Sequence, residues 1–274
     1  MDGKIRLSVI IPALNEERFL PLLLQSLSDQ TCKNFEVIVV DGGSQDKTIK
    51  VAEKFIGKLP CLTILSTHKG LSHQRNFGAK HARSSWFVFS DADNVFLPYA
   101  IDRIYGYAKR KKPSLFTAWS RSDSEVTADA LITLFSNMVI EGFMAAKKQF
   151  APGPLMVIQK HTFEHVGGYN EQISWGEDYE ISKRLQEAGY RMDILRETLY
   201  VWSLRRMRNE GNLTVLRKFA LAGAYNLLTN KAFTRMPGYE MGGHLYGTKE
   251  KRSFKAEVSK LQKRFVASAR EIFG

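Results

Sequence analysis

The hydrophobic positions of this chain come in short blocks. "IRLSVII" at 5–11, "FEVIVV" at 35–40, "CLTILS" at 61–66 and "WFVFS" at 86–90 are apolar runs of strand length. Between them lie stretches with helical character: "FLPLLLQSLSDQ", "SQDKTIKVAEKFIG", "LSHQRNFGAKHAR" and "LPYAIDRIYGYAKR". Such strands, alternating with helices, predict a parallel sheet with helices on both faces. Ser44 or Asp46 can cap the second helix. Pro21 predicts that the first helix begins there, after a loose turn over 16–20.

Beyond Ser114 the pattern loosens. "SLFTAW" and "PLMVIQ" read as strands, "TADALITLFSNMVIEGFMAAKKQF" as a long helix, and "EDYEISKRLQEAG" as a helix closed by Gly189. "YRMDIL" reads as a further strand, and from Leu213 onward the chain is mostly helical and basic. No repeat, low-complexity tract or Pro/Gly-rich linker marks a boundary. The expected organisation is one α/β unit over 1–210, with halves at 1–113 and 114–210, and a helical extension over 211–274.

At 274 residues, with 44% hydrophobic and 25% charged residues, the chain can bury a substantial core. Its two cysteines, Cys32 and Cys61, form no C-x-x-C pair, which argues against zinc and disulfide frameworks and for a reducing cytosol. The start "MDGKIRLSVII" lacks a secretory pattern, so a cytoplasmic protein is expected. The closest approach to a membrane span, 130–146, is interrupted by Ser136, Asn137 and Glu141. The net charge of +12 calls for an anionic partner: nucleic acid, an acidic lipid surface or a phosphorylated small molecule.

Ligands of open parallel sheets sit outside the carboxyl ends of the strands. Here those ends read "PALNEE" (12–17), "DGGSQD" (41–46) and "SDADN" (90–94), which gathers Asn15, Glu16, Asp41, Asp46, Asp91 and Asp93 on one rim. Each alone has an ordinary role in a cap or turn. Together they are unfavourable without a cation or a donor-rich ligand. The D-x-D at a strand end suits a divalent ion on a diphosphate, and Mg²⁺ or Mn²⁺ suits all-oxygen ligands. Arg75, on a helix reached from Gly70, could grip a phosphate or lie on a solvated face. Arg205, Arg206 and Arg208 could clamp a pyrophosphate or form a basic surface. Glu177 and Asp178 open a helix, where acidic residues are favoured anyway. Trp175 and Gly176 just before them fit a substrate-facing loop.

In order, "SVIIPALNEE", "VIVVDGGSQDKT", "QRNFGAKHA", "FSDADN", "FEHVGGYNE" and "WGEDYEISKRLQEAG" resemble family 2 glycosyltransferases over roughly residues 5 to 210. The resemblance implies a GT-A, Rossmann-like α/β fold with a mostly parallel central sheet flanked by helices. It also implies inverting transfer from a nucleoside-diphosphate sugar, UDP- or GDP-linked, to a glycan or lipid-linked acceptor hydroxyl. Pro12, Ala13, Asn15 and Glu16 would border the nucleotide, and Asp41 would bind its base. Gly70 and Arg75 would approach base or phosphate, Asp91 and Ala92 the ribose, and Asp93 with Asp91 a divalent metal. Asp178 would be the general base, Glu177 its support, and Trp175 and Gly176 the acceptor side. One departure stands out: "YVWSLRRMR" has no histidine to complete a metal shell, so water and donor phosphate would complete it, or Arg205 or Arg206 would share the neutralisation of the leaving group.

Other readings remain open at this point. "DADNV" matches the D-x-D-x-[TV] of haloacid-dehalogenase-like phosphatases, although three strands precede it here. A nucleotidyltransferase would want a glycine-rich loop that "PALNEERF" lacks. A non-catalytic basic protein binding nucleotide or membrane is a third reading, and no nucleic-acid signature supports a nucleic-acid partner. "EVSKLQKRFVASAREIF" (257–273) is amphipathic and basic, suited to packing on the core or to peripheral contact with an anionic membrane.

Overall fold

The four leading apolar runs become β1 (Leu7–Ala13), β2 (Phe35–Asp41), β3 (Leu62–Ser66) and β4 (Trp86–Ser90). The structure is a computed structural model and describes residues 5–229 and 242–245. Intervening helices are α1 (Leu20–Ser28), α2 (Thr48–Glu53), α3 (Leu71–His81) and α4 (Ala100–Lys111), with the short β5 (Val95–Phe96) before α4. Then follow β6 (Leu115–Ser122), α5 (Thr127–Ala145), β7 (Leu155–Gln159), α6 (Lys160–His165) and α7 (Glu177–Glu187). Next come β8 (Met192–Trp202), α8 (Arg205–Glu210) and α9 (Asn212–Thr229), and a single 3₁₀ turn at Gly243–Leu245 ends the described elements. The amphipathic stretch at 257–273 lies outside the described residues.

All eight strands join one sheet in the order β3-β2-β1-β4-β7-β6-β8-β5. β1, β2, β3 and β4 pair in parallel, as do β6 and β8. β7 runs against both β4 and β6, and β5 runs against β8, so the sheet is more mixed than expected. The run "LMVI" is apolar and says nothing about direction, which is why the reversal was not legible.

Alternation along each strand feeds two cores. On β1, Leu7, Val9 and Ile11 pack with Leu23, Leu27 and Ile104 from α1 and α4. Ile10 faces the other way, with Ile38, Phe87, Phe89, Ile181 and Leu185. Helix α3 presses closely on that second face. A Cβ on Gly78 would lie 2.5 Å from Ile10 Cγ2, so only glycine allows this approach. The start of α1 is one residue earlier than expected, at Leu20, with Pro21 in the first turn where a missing N–H costs nothing. Asp46 serves the second helix, accepting from Thr48 N at 2.9 Å. Ser44 accepts instead from Asn15 N at 2.8 Å.

Candidate active site

β2, β1 and β4 are neighbours, and Ala13 stands in register with Asp41, so three carboxyl ends open on one edge. The chain beyond them crosses this edge through α7 and α8, and a cleft of about 1620 Å³ lies between. Pro12, Ala13 and Glu16 from the end of β1 line it, with Gly70 and Arg75 from α3. Asp91, Ala92 and Asp93 lie beside them, opposite Trp175, Gly176, Glu177 and Asp178, with Arg205 and Arg206 at one side.

Two arginines organise the acidic groups. Arg205 donates from Nη1 and Nη2 to the two Glu16 oxygens, both at 2.7 Å, and its Nε lies 2.8 Å from Asp93 Oδ2. Its guanidinium rests on the Phe19 ring, 4.4 Å from the centroid. Arg75 is wholly buried, contrary to a solvated face. It donates from Nη1 to Glu177 at 2.7 Å and from Nη2 to Asp91 at 3.0 Å and Gly153 O at 3.2 Å. Burial opposes its charge, but Tyr169, Glu177 and Asp91 hold the guanidinium above its ordinary pKa. Its guanidinium is thus committed to protein groups, with Nε buried and without a partner among the described residues.

Two acids of the cleft, Asp93 and Asp178, are electrostatically alike. Burial pushes Asp93 up to about 7; Arg205 opposes this, while Glu16 and Asp91 add to it. Burial also pushes Asp178 up to about 7, reinforced by Glu177. Two backbone amides restrain the rise: Gly153 N donates to Asp178 Oδ2 at 2.9 Å and Tyr179 N to Oδ1 at 2.8 Å. The sharp turn into α7 is made by Gly176 at φ +77°, which sets Glu177 and Asp178 on the first turn.

Two expected residues do not line the cleft. Asn15, at φ +54°, instead fastens two loops: its Oδ1 accepts from Gln45 N at 2.7 Å and its N–H donates to Ser44. A loop asparagine and a ligand-binding one look identical in sequence, and the left-handed backbone decided the matter here. Asp41 is 1% exposed behind the end of β1. Its Oδ2 accepts from Gly43 N and Ser44 N at 3.0 Å each, while Oδ1 is buried with no partner among the described residues.

Of the arginine trio, only Arg205 and Arg206 reach the cleft. Arg206 pairs with Glu210 at 3.0 Å, and Arg208 turns away to bind Asp123. Sequence reasoning missed Gly153 and Tyr169. Gly153 links Asp178 to Arg75, donating from its N–H to the one and accepting at its O from the other, and the Tyr169 ring lies 5.1 Å from the Arg75 guanidinium. "PGP" at 152–154 was the available signal for a rigid turn. Helices α5 and α9 also line the cleft, through Ile132, Phe143, Val215 and Phe219, and Phe219 stacks on Trp175 at 6.5 Å.

The donor set suits a hard cation. Glu16, Asp91, Asp93, Glu177 and Asp178 crowd the cleft, and the guanidiniums between them are those of Arg75 and Arg205. The raised Asp93 carboxyl shows that its negative charge is under-compensated, which a divalent ion would relieve. Among the described residues, no three side chains converge as a complete metal nest, so exogenous oxygens would have to finish any shell.

The sequence profile of glycosyl transferase family 2 matches residues 8–163, more than half of the chain and all of the strands that build the acidic rim. The chain belongs to glycosyl transferase family 2. An uncharacterised family glycosyltransferase of Haemophilus influenzae is 28% identical over 191 residues, covering 67% of this chain and 63% of that one. The matched region therefore spans less than two thirds of that relative's length. A mannosyltransferase from Pyrobaculum calidifontis, solved with GDP-Man and Mn²⁺, superposes with a TM-score of 0.64 over 99% of this chain and 76% of that chain, at 19% identity. Staphylococcus aureus TarS 1–349, solved with UDP-GlcNAc, gives 0.59 over 73% and 59%, at 21% identity. The fold of this family 2 chain is the GT-A arrangement its motifs led one to expect.

Proposed function

We propose that the protein transfers a sugar from a nucleoside-diphosphate sugar, UDP- or GDP-linked, to an acceptor hydroxyl with inversion. One observation carries this reading: two half-buried acids with pKa values raised to about 7, Asp93 and Asp178, line the same cleft from different elements. One is suited to the donor's diphosphate and the other to the acceptor's proton. The relatives solved with GDP-Man and Mn²⁺ and with UDP-GlcNAc support the donor class.

On this reading Pro12 and Ala13 form the wall beside the base. Asp93, with Asp91, would hold Mg²⁺ or Mn²⁺, which supplies neutralisation of the diphosphate charge. Asp178 takes the proton from the acceptor hydroxyl as that oxygen forms a bond to the anomeric carbon. The bond from that carbon to the diphosphate breaks, and its electron pair leaves with the nucleoside diphosphate. Arg205, fixed on Glu16 and beside Asp93, bears on that departing charge in place of the missing histidine. Arg75 positions both clusters by holding Asp91 and Glu177. Trp175 and Gly176 border the acceptor end.

Incubation with a panel of UDP- and GDP-sugars plus Mn²⁺ tests the reading. Nucleoside diphosphate should be released, and the first-formed sugar product should show the opposite anomeric configuration by NMR. Release of inorganic phosphate alone, the outcome for an aspartyl-phosphate enzyme, refutes it.

A further inference from the structure

Two helices of the cleft, α5 and α9, are apolar on the outside as well as the inside. On α5, Leu131, Leu134, Phe135 and Met138 are 55–61% exposed, spaced as one helical stripe, and Leu221 and Leu228 on α9 are 64% and 86% exposed. Isolated exposed leucines are ordinary; an apolar stripe with this spacing on a folded helix is not. The charges within α5 are Asp129 and Glu141. Asp129 is buried against Ser124 and near Arg208, and Glu141 is bound by Arg196 at 2.8 and 2.9 Å.

Helix α5 has the length and composition of a membrane-crossing segment, yet it is fastened along the domain. Asn137 accepts from Ser120 N at 3.2 Å and donates to Ser120 O at 2.9 Å, tying the helix to β6. The stripe is therefore a fixed outer surface. Its rim carries more basic than acidic residues: Lys147 and Lys148 follow α5 and Arg217 and Lys218 lie on α9, against Glu125 ahead of α5 and Glu210, which binds Lys218 at 2.8 Å. A second copy pressed on this face would meet like charge with like, whereas anionic headgroups would complement it. The stripe is also continuous with the cleft, because Leu131 and Phe135 are both exposed and part of the cleft wall.

We propose that α5 and α9 form a docking surface for an anionic lipid bilayer, with their outer side chains in the headgroup and acyl boundary. The mouth of the cleft then opens at the membrane, and the acceptor whose hydroxyl reaches Asp178 is an amphiphile anchored in that layer. This consequence for the acceptor rests on the glycosyl-transfer reading; the docking surface does not.

Flotation of the full chain with phosphatidylcholine vesicles, with and without phosphatidylglycerol, tests the surface. The protein should float with anionic vesicles, less so at high salt. Leu134→Glu/Met138→Glu/Leu221→Glu should reduce the bound fraction about tenfold or more, since each change removes a buried apolar contact. None of these side chains lines the cleft, so the unfolding midpoint and nucleoside diphosphate release from soluble donors should stay at wild-type levels. As a second probe, Met138→Trp should gain blue-shifted emission on adding anionic vesicles. Flotation of the triple variant at the wild-type level overturns the proposal, as does absence of wild-type binding. So does a wild-type dimer that the same substitutions dissolve. Vesicle binding that the variant loses, without diphosphate release from any donor, supports the surface and removes the glycosyl-transfer reading instead.

Discussion

Arg75 Nη1 donates to Glu177 Oε1 at 2.7 Å across 102 residues of sequence. Through its other amino group the same guanidinium holds Asp91, so one buried arginine joins the strand-end acids to the acids of α7. Glu177 is thereby engaged. Asp178, next in the chain, is held by the backbone amides of Gly153 and Tyr179. The neighbouring carboxylates have different environments, and on the proposed function that difference favours Asp178 for proton transfer.

Asp178→Asn should lower kcat by about 10²–10⁴-fold, the usual contribution of a general base. Affinity for the nucleoside diphosphate should stay within about twofold, because Asp178 is held by the Gly153 and Tyr179 amides and is not the carboxylate proposed for the diphosphate. Steady-state kinetics combined with nucleotide titration checks both halves. Donor affinity lost with kcat intact would reassign the residue.

The pH profile follows from the same group. A base must be deprotonated, and Asp178 releases its proton only near pH 7. The rate should therefore rise with pH through an apparent pKa of about 7, and the residual rate of Asp178→Asn should lack that limb. Asp93 titrates in the same range and would steepen the rise in donor affinity. A profile flat from about pH 5.5 to 8.5 would contradict the assignment.

Stability should run the other way. The folded carboxyl is raised from 3.8 to about 7, so the fold holds a proton that the unfolded chain has already lost between those values. Stability thus falls as pH rises through that window. Asp178→Asn removes the charging cost, and its Tm advantage over wild type should be several degrees larger at about pH 8 than at about pH 4. Differential scanning calorimetry reads the difference directly.

Arg205→Met should lower Tm by about 10 °C, in line with about 3–5 kcal/mol for leaving a buried partner unpaired. Glu16 and Asp93 both lose their counter-charge in this variant. Arg205→Lys restores charge without the two-pronged grip on Glu16 and should recover only part of that loss. Equal Tm values for Met and Lys variants would show that the charge contributes nothing.

The parallel half of the sheet was legible because strands buried on both faces read as unbroken apolar runs. β8 was read too short. Expected over "YRMDIL", it continues to Trp202 through Arg196 and Glu197, whose charges pair with Glu141 and Arg103 on flanking helices. Salt bridges to distant elements make a strand look like a loop. Asp91, Asp93 and Glu177–Asp178 share the cleft, as local pattern and family resemblance led one to expect, whereas Asp41 does not line it. The burial of Arg75 was not legible, since it depends on carboxylates 16 and 102 residues away. The loop contacts of Asn15 with Ser44 and Gln45 were not legible either, since they cross about 30 residues of sequence.

The central claim is that the acidic rim holds a metal-bearing sugar nucleotide through Asp93. Isothermal titration of wild type and Asp93→Ala with UDP- and GDP-linked sugars, with and without Mn²⁺, tests it most directly. One donor should bind wild type about tenfold or more tighter with Mn²⁺, and Asp93→Ala should lose that gain. Equal binding by both proteins, or no binding of any such donor, would contradict the account.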